Sequence, residues 1–257
     1  MGYSQGNHID RKPISRSLFS NHITVFMNTG FSKAHVVPLI DPNVSPANNE
    51  VNIRPLLSKR VAVGFLYSKC YGKSFASESG IHYGVFDLGQ EFVSNLDAVK
   101  NSLSPFRYHQ YHRYLKVPIK ITYREPLSKS LAFTASIGIS LVKVVDNRIG
   151  INFVDDDFNI IGGMYYYTNP SMAMSSTYDL YAGGLYLLHN GNFLKFELEG
   201  NLIIDGVDVA YGGYSLVGLT PTGVENSFWG NFIFAGNFIS VNIGYVFSRT
   251  QSSFGNR

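Results

Sequence analysis

The sequence predicts an all-β chain: an eight-stranded antiparallel up-and-down transmembrane β-barrel with short periplasmic turns and long extracellular loops. Three observations carry that expectation. Apolar residues alternate with small or charged ones along a long hairpin, Tyr111 to Leu141. The links between strand candidates alternate between short and long. No run of about 18 apolar residues occurs, which excludes a helical span and leaves strands as the only means of crossing a bilayer.

The hairpin shows the pattern at its clearest. In its second arm Leu131, Phe133, Ala135, Ile137, Ile139 and Leu141 share one face, with Ala132, Thr134, Ser136, Gly138, Ser140 and Val142 on the other. In the first arm Leu115, Val117, Ile119, Ile121 and Tyr123 oppose Tyr114, Lys116, Pro118, Lys120, Thr122 and Arg124. A two-residue period is that of a strand. Each arm reaches the ~9–11 residues that cross a bilayer at a tilt. A soluble sandwich rarely lines its second face with Gly, Ser and Thr alternating with Lys, whereas a barrel in lipid does so by construction.

Taken in order, Met1–Ser20 is polar and basic and reads as a periplasmic tail with no packing pattern. It lacks an apolar signal region, so the numbering is expected to start on mature protein. The barrel is expected over residues 21–247 and a second tail over 248–257. The first strand is placed at His22–Ser32, with Ile23, Val25, Met27 and Phe31 outward, and the second at Lys59–Cys70, with Val61, Val63, Phe65 and Tyr67 outward. The third runs over Gly80–Ser94, where Ile81, Tyr83 and Val85 share a face but Phe86 and Leu88 take the other, read as a one-residue slip at a β-bulge. The hairpin supplies the fourth and fifth strands. The sixth is Thr177–Leu188, the seventh Asn192–Ile203 and the eighth Asn237–Phe247.

Short links join strands two and three at Gly72-Lys73, four and five at Glu125–Ser130, and six and seven at Asn190-Gly191. The links between one and two, three and four, five and six, and seven and eight are long. Tight turns at one end and long loops at the other are the habit of bacterial barrels, and an even strand count puts both termini on the periplasmic side. Phe228–Phe234 is also strand-like, so the last link either rises beyond the membrane or raises the count to ten.

Composition narrows the function classes. A net charge of +3 is too small to point to nucleic acid, and the single cysteine, Cys70, permits neither a disulfide framework nor a thiolate zinc cluster. Inward positions collect charge: Arg60, Asp87, Glu91, Lys116, Lys120, Arg124, Asp179, Lys195, Glu197 and Glu199. An eight-stranded interior is just wide enough for side chains to fill, so these groups are expected to pair, because an unpaired ion there carries a heavy desolvation cost. Asp155, Asp156 and Asp157 form a weak calcium candidate in the fifth-to-sixth link, without EF-hand spacing. Met164, Tyr165, Tyr166, Tyr167, Met172 and Met174 make the surface best suited to burial against a partner protein. His109 and His112 fall on opposite faces of one strand, so they cannot share a metal. No nucleophile elbow, phosphate-cradling glycine loop or catalytic helix motif is found, and neither a catalytic residue, a metal nor a cofactor is expected.

Tyr114-Leu115-Lys116-Val117-Pro118-Ile119-Lys120-Ile121-Thr122-Tyr123 resembles a strand of the outer-membrane β-barrel family of Bacteroidota, the small PorT-like and OmpX-like barrels. Phe133-Thr134-Ala135-Ser136-Ile137-Gly138 is similar to that family's next strand, Ser79-Gly80-Ile81-His82-Tyr83 to another, and Asn242-Ile243-Gly244-Tyr245-Val246-Phe247 to its closing one. The final aromatic usually lies close to the carboxyl terminus, whereas Ser248–Arg257 follow it here. The resemblance implies an outer-membrane location in contact with lipid and lipopolysaccharide, and no catalytic residues.

Three roles follow from these readings. An accessory subunit of an outer-membrane complex, serving secretion, gliding, uptake or barrel assembly, predicts stoichiometric protein partners. A stand-alone narrow pore, ligand-binding barrel or adhesin predicts conductance or a ligand between the loops. A membrane-embedded hydrolase predicts Ser, His and acid gathered at one rim.

Overall fold

The computed structural model of the chain describes residues 18, 20–33, 35–39, 51–72, 74–94, 106–145, 148–154, 160–167, 175–203, 210–219, 225–235 and 238–248. Eight antiparallel strands close on one another: β1 (His22–Lys33), β4 (Leu57–Tyr71), β5 (Phe75–Ser94), β6 (Phe106–Pro126), β7 (Leu131–Val144), β10 (Ser175–Leu187), β11 (Phe193–Ile203) and β14 (Ile239–Ser248). Closure is visible in a single hydrogen-bonded row. From Arg113 on β6 it passes through Val85, Val61, Thr29, Val241, Leu198, Ala182 and Ala135, and returns to β6 at Tyr123, ten residues further along. Such a stagger tilts the strands, so a level line around the barrel drifts by just over one residue per strand from that row.

The eight barrel strands are those expected, and the count is eight rather than ten. Phe228–Phe234 belongs instead to β13 (Glu225–Ala235), outside the barrel wall. It pairs with β2 (His35–Leu39) on one side and β12 (Ala210–Leu219) on the other. With β9 (Ile160–Tyr167) and β8 (Arg148–Val154) these make a five-stranded sheet in the order β2-β13-β12-β9-β8. Three of the long links thus carry strands of their own, whose valine, isoleucine, tyrosine and phenylalanine content is that of pleated backbone. On the same side β5 and β6 pair as far as Phe92↔Phe106, with β3 (Val51–Pro55) added along β5. At 20 and 21 residues these two strands far exceed a membrane crossing.

Outward positions form an apolar belt. Ile23, Val25, Met27, Val63, Phe65, Ile119, Ile121, Ile137, Leu180 and Leu198 are all exposed. Tyr71, Phe75, Tyr123, Tyr186 and Phe247 line its short-turn edge, with the Phe75 and Tyr123 rings 5.5 Å apart. The turns there follow their residues. Gly72 and Gly191 take φ of +64° and +83°, the left-handed region that glycine enters without strain. Asn190 Oδ1 accepts the Asn192 N–H at 3.1 Å, and the Ser128 hydroxyl accepts the N–H of Leu131 at 3.1 Å.

The third strand does not slip. Its register with β6 is constant from Phe75↔Tyr123 to Phe92↔Phe106. The irregularity lies on the other side, at Leu56 between β3 and β4, whose N–H donates to Gly89 O at 2.9 Å. Phe86 faces inward because the lumen there is aromatic. Within β6, Pro118 has no N–H to give, and the β5–β6 ladder skips the pairs between Ser79↔Ile119 and His82↔Lys116.

One glycine is required by close approach. A Cβ on Gly183 of β10 would stand 2.7 Å from Glu197 Cα and 2.8 Å from Phe196 C, both main-chain atoms of β11. Gly183→Ala is therefore expected to push the two strands apart and destabilise the barrel by about 1–3 kcal/mol, read as a lowered urea midpoint of protein refolded in lipid vesicles. An unchanged midpoint would show that the wall can give at this point.

Candidate functional site

The inner faces bring charge together in two tiers. On β5, Glu78 is the hub of the lower tier: its carboxylate meets Arg124 Nη2 at 2.8 Å, Lys195 Nζ at 3.0 Å and Lys120 Nζ at 3.1 Å. Lys195 and Lys120 also reach Glu197, at 3.0 and 3.3 Å. The upper tier centres on Glu199 of β11, paired with Lys116 Nζ at 2.7 Å and Arg60 Nη2 at 3.2 Å. Asn28 and Asn242 donate to its other oxygen at 2.9 and 3.0 Å. Lys116 also meets Asp179 at 2.9 Å, which further accepts from Thr177, Tyr181, Ser140 and Asn201.

Apolar layers close the tiers above and below. At the short-turn end Leu18 is fully buried against Ala132, Leu185, Phe193 and Val246. Its carbonyl accepts from Arg124 Nη1 at 3.0 Å and His22 Nε2 at 3.1 Å, and the Cys70 thiol donates to Ser20 O at 3.0 Å. Leu18 and Ser20 thus help to stop the mouth, because an apolar side chain and two main-chain carbonyls find partners there. At the opposite end Phe86 stacks on His112 at 5.3 Å and packs against Tyr114 and Phe238, while the Arg60 guanidinium lies 4.8 Å over the Phe238 ring. Between the tiers Phe26 meets His82 edge-on at 4.4 Å, and Lys120 Nζ sits 3.9 Å over the Tyr181 ring. Beside them is a cavity of about 10 Å³, room for roughly one water.

Of the inward charges read from the sequence, Arg60, Lys116, Lys120, Arg124, Asp179, Lys195, Glu197 and Glu199 join this network and are buried. Asp87 and Glu91 stand outside the network, although Asp87 too is buried. They share the parity of the outward Tyr83 and Val85 and serve the stretch of β5 that rises past the belt. There His109 Nδ1 donates to Asp87 Oδ2 at 2.8 Å, while Glu91 takes Arg107 Nε at 2.8 Å and lies 4.0 Å from Arg54. Glu78 escapes the sequence reading because it precedes Gly80, where the alternation places the start of the third strand. Its shared parity with His82 is the signal that could have found it. His109 and His112 do lie on opposite faces, the first exposed and the second buried.

Met164 and Tyr165–Tyr167 belong to strand β9, paired with β12 and β8, and not to a loop. Asp155, Asp156, Asp157, Met172 and Met174 lie outside the described residues, as do the tail residues 1–17 and 249–257. Among the described residues no group of three metal-ligating side chains occurs.

No family model matches the sequence, and no curated protein does. Among solved structures the chain is similar to the outer membrane protein OprG from Pseudomonas aeruginosa, at 8% identity and TM-score 0.48 over 89% of this chain and 96% of that one. It is also similar to a major outer membrane protein from Thermus thermophilus, at 11% identity and TM-score 0.41 over 88% and 99% of the two chains. AlkL in lipid bilayers matches over 99% and 100%, at 14% identity and TM-score 0.37. At these identities the likeness is one of fold. Location follows from the chain's own surfaces: a closed antiparallel barrel with an oily exterior and an ionic interior satisfies every requirement of a bilayer and none of water. The chain is an integral outer-membrane β-barrel with a filled lumen.

Proposed function

We propose that this protein is a non-conducting, non-enzymatic outer-membrane anchor, an accessory subunit that holds an extracellular β-structure against a protein partner in a larger complex. The filled lumen carries this reading. Ion pairs occupy two tiers between the Leu18 floor and the Phe86–Phe238 roof, so the barrel offers rigidity rather than passage. The five-stranded sheet and the tall β5–β6 arm account for much of the chain beyond the membrane, more than an anchor alone needs. The strand Tyr114–Tyr123 and the ending Gly244-Tyr245-Val246-Phe247 support membership of the Bacteroidota barrel family, whose members include parts of secretion machinery.

Two measurements on the purified protein test this. In planar bilayers the barrel should give no single-channel steps at moderate voltage. Gentle detergent extraction from its native membrane, followed by sizing and mass spectrometry, should recover it with a partner in fixed stoichiometry. A lone barrel with clear, reproducible conductance steps would favour the narrow-pore reading and overturn this one.

A further inference from the structure

The two tiers of the lumen differ in their charge balance. In the upper tier Arg60 and Lys116 face Glu199 and Asp179, and the charges cancel. In the lower tier Lys120, Arg124 and Lys195 share, among the described residues, only Glu78 and Glu197, which leaves one positive charge over. The remaining buried carboxylate, Asp87, stands outside the network and is held by His109. The surplus lies between the Leu18 floor and the Phe86–Phe238 roof, away from bulk water. A charge so buried without a counter-charge carries a heavy desolvation cost.

The cavity with room for one water lies beside that surplus. Lys120 and Lys195 both line it, together with His82, Thr24 and Asn242. Each lysine meets two carboxylates: Glu78 at 3.1 and 3.0 Å, and Glu197 at 3.3 and 3.0 Å. An ammonium carries three N–H groups. Lys120 has the Tyr181 ring for its third, whereas Lys195 has no further partner among the described residues. His82 is buried, and its Nε2 is without a hydrogen-bond partner. Glu197 also borders the space, but Lys195 holds one of its oxygens and Lys120 the other. The unspent polar groups are therefore donors. We propose that this cavity holds a single chloride ion, bound by Lys195, Lys120 and His82 in its Nε2–H form. The ion is enclosed as the cylinder closes and restores neutrality to the lower tier. A polyatomic anion such as phosphate is too large for a space of one water. The site is independent of whether the barrel has a protein partner.

The test uses bromide, which takes chloride sites and can be counted by elemental mass spectrometry. Barrel refolded with sodium bromide and desalted into sodium gluconate should keep about one bromide per folded chain, as the space allows. Unfolding in urea should release it. Lys195→Met removes the surplus cation, and Thr24→Asp sets a carboxylate at the cavity wall. Each should lower retention about tenfold or more, the worth of one charge-assisted hydrogen bond. Lys69→Met, which removes an exposed cation near the short-turn edge, should keep the ion. If neither lumen variant shows the heat-dependent gel shift of a folded barrel, the anomalous signal of bromide in crystals of the unaltered protein locates the ion. No bromide on the unaltered barrel would overturn the proposal, leaving a neutral lysine beside a water. So would full retention by either folded lumen variant, equal loss from Lys69→Met, or a bromide peak remote from Lys195 and His82.

Discussion

Glu78→Gln should destabilise the barrel by about 3–5 kcal/mol, the cost of leaving buried charges without their partner. The side chain keeps its shape and hydrogen-bonding reach, so the change isolates charge. Three cations, Lys120, Arg124 and Lys195, converge on this one carboxylate within 3.1 Å. Without it Arg124 keeps, among the described residues, only neutral acceptors: the Leu18 carbonyl, Ser68 Oγ and Cys70 Sγ. The two lysines would share Glu197 alone. Urea titration of vesicle-inserted protein, followed by the gel mobility of folded and unfolded forms, reads the effect. Lys195→Met serves as comparison. The network holds five cations (Arg60, Lys116, Lys120, Arg124, Lys195) against four carboxylates (Glu78, Asp179, Glu197, Glu199), so losing one cation leaves a balanced set. A Glu78→Gln midpoint no lower than that of Lys195→Met would mean that water, not ion pairing, satisfies the lower tier.

Ile137→Arg should cost about 2–4 kcal/mol, the value for a cation at a lipid-facing site near the bilayer midplane. Ile137 lies halfway along β7 with 61% of its surface exposed, paired with Ile121 and Leu180, both also outward. An arginine there has acyl chains around it and a long way to either headgroup layer. The neighbouring Ser136→Ala changes the inner face instead, removing a hydroxyl that meets Thr122 Oγ1 at 2.9 Å. That change should cost no more than about 0.5–1.5 kcal/mol, an ordinary buried hydrogen bond. The contrast is measured by refolding both variants into vesicles. Similar losses at the two adjacent positions would reverse the assignment of faces on which the membrane reading stands.

The barrel is legible because its two surroundings differ so sharply. Lipid demands an uninterrupted apolar face, so Ile119, Ile137 and Leu198 announce their direction from alternation alone. Direction on the inner face is equally plain where the residue is charged, as with Lys116 or Glu199. Where the chain leaves the bilayer, the same code loses its meaning. Asp87 and Glu91 continue the outward parity of Tyr83 and Val85 beyond the belt, where that face no longer meets lipid and each carboxylate finds its own partner, His109 for the buried Asp87 and Arg107 for Glu91; charge alone does not tell which face they take. Phe86 makes the opposite error, an aromatic that mimics a change of face when it roofs the lumen. Glu78 and Leu18 are lost to boundaries: the first lies before the expected strand start, and the second stands alone in a polar stretch with no periodicity to mark it. Partner choice among the lumenal charges is not legible at all, since it depends on the stagger of the closed cylinder.

The seam between β1 and β14 joins the two ends of the chain, and Asn28 and Asn242 meet across it at 2.5 Å, both donating to Glu199 two strands from β1. Zipping the cylinder shut one notch out of place would carry Asn28 away from Glu199 and strand Arg60, which leans on Asn28 Oδ1, beside the wrong neighbours. The ionic filling thereby acts as a combination lock, admitting one alignment at the final step of assembly and penalising every neighbouring one.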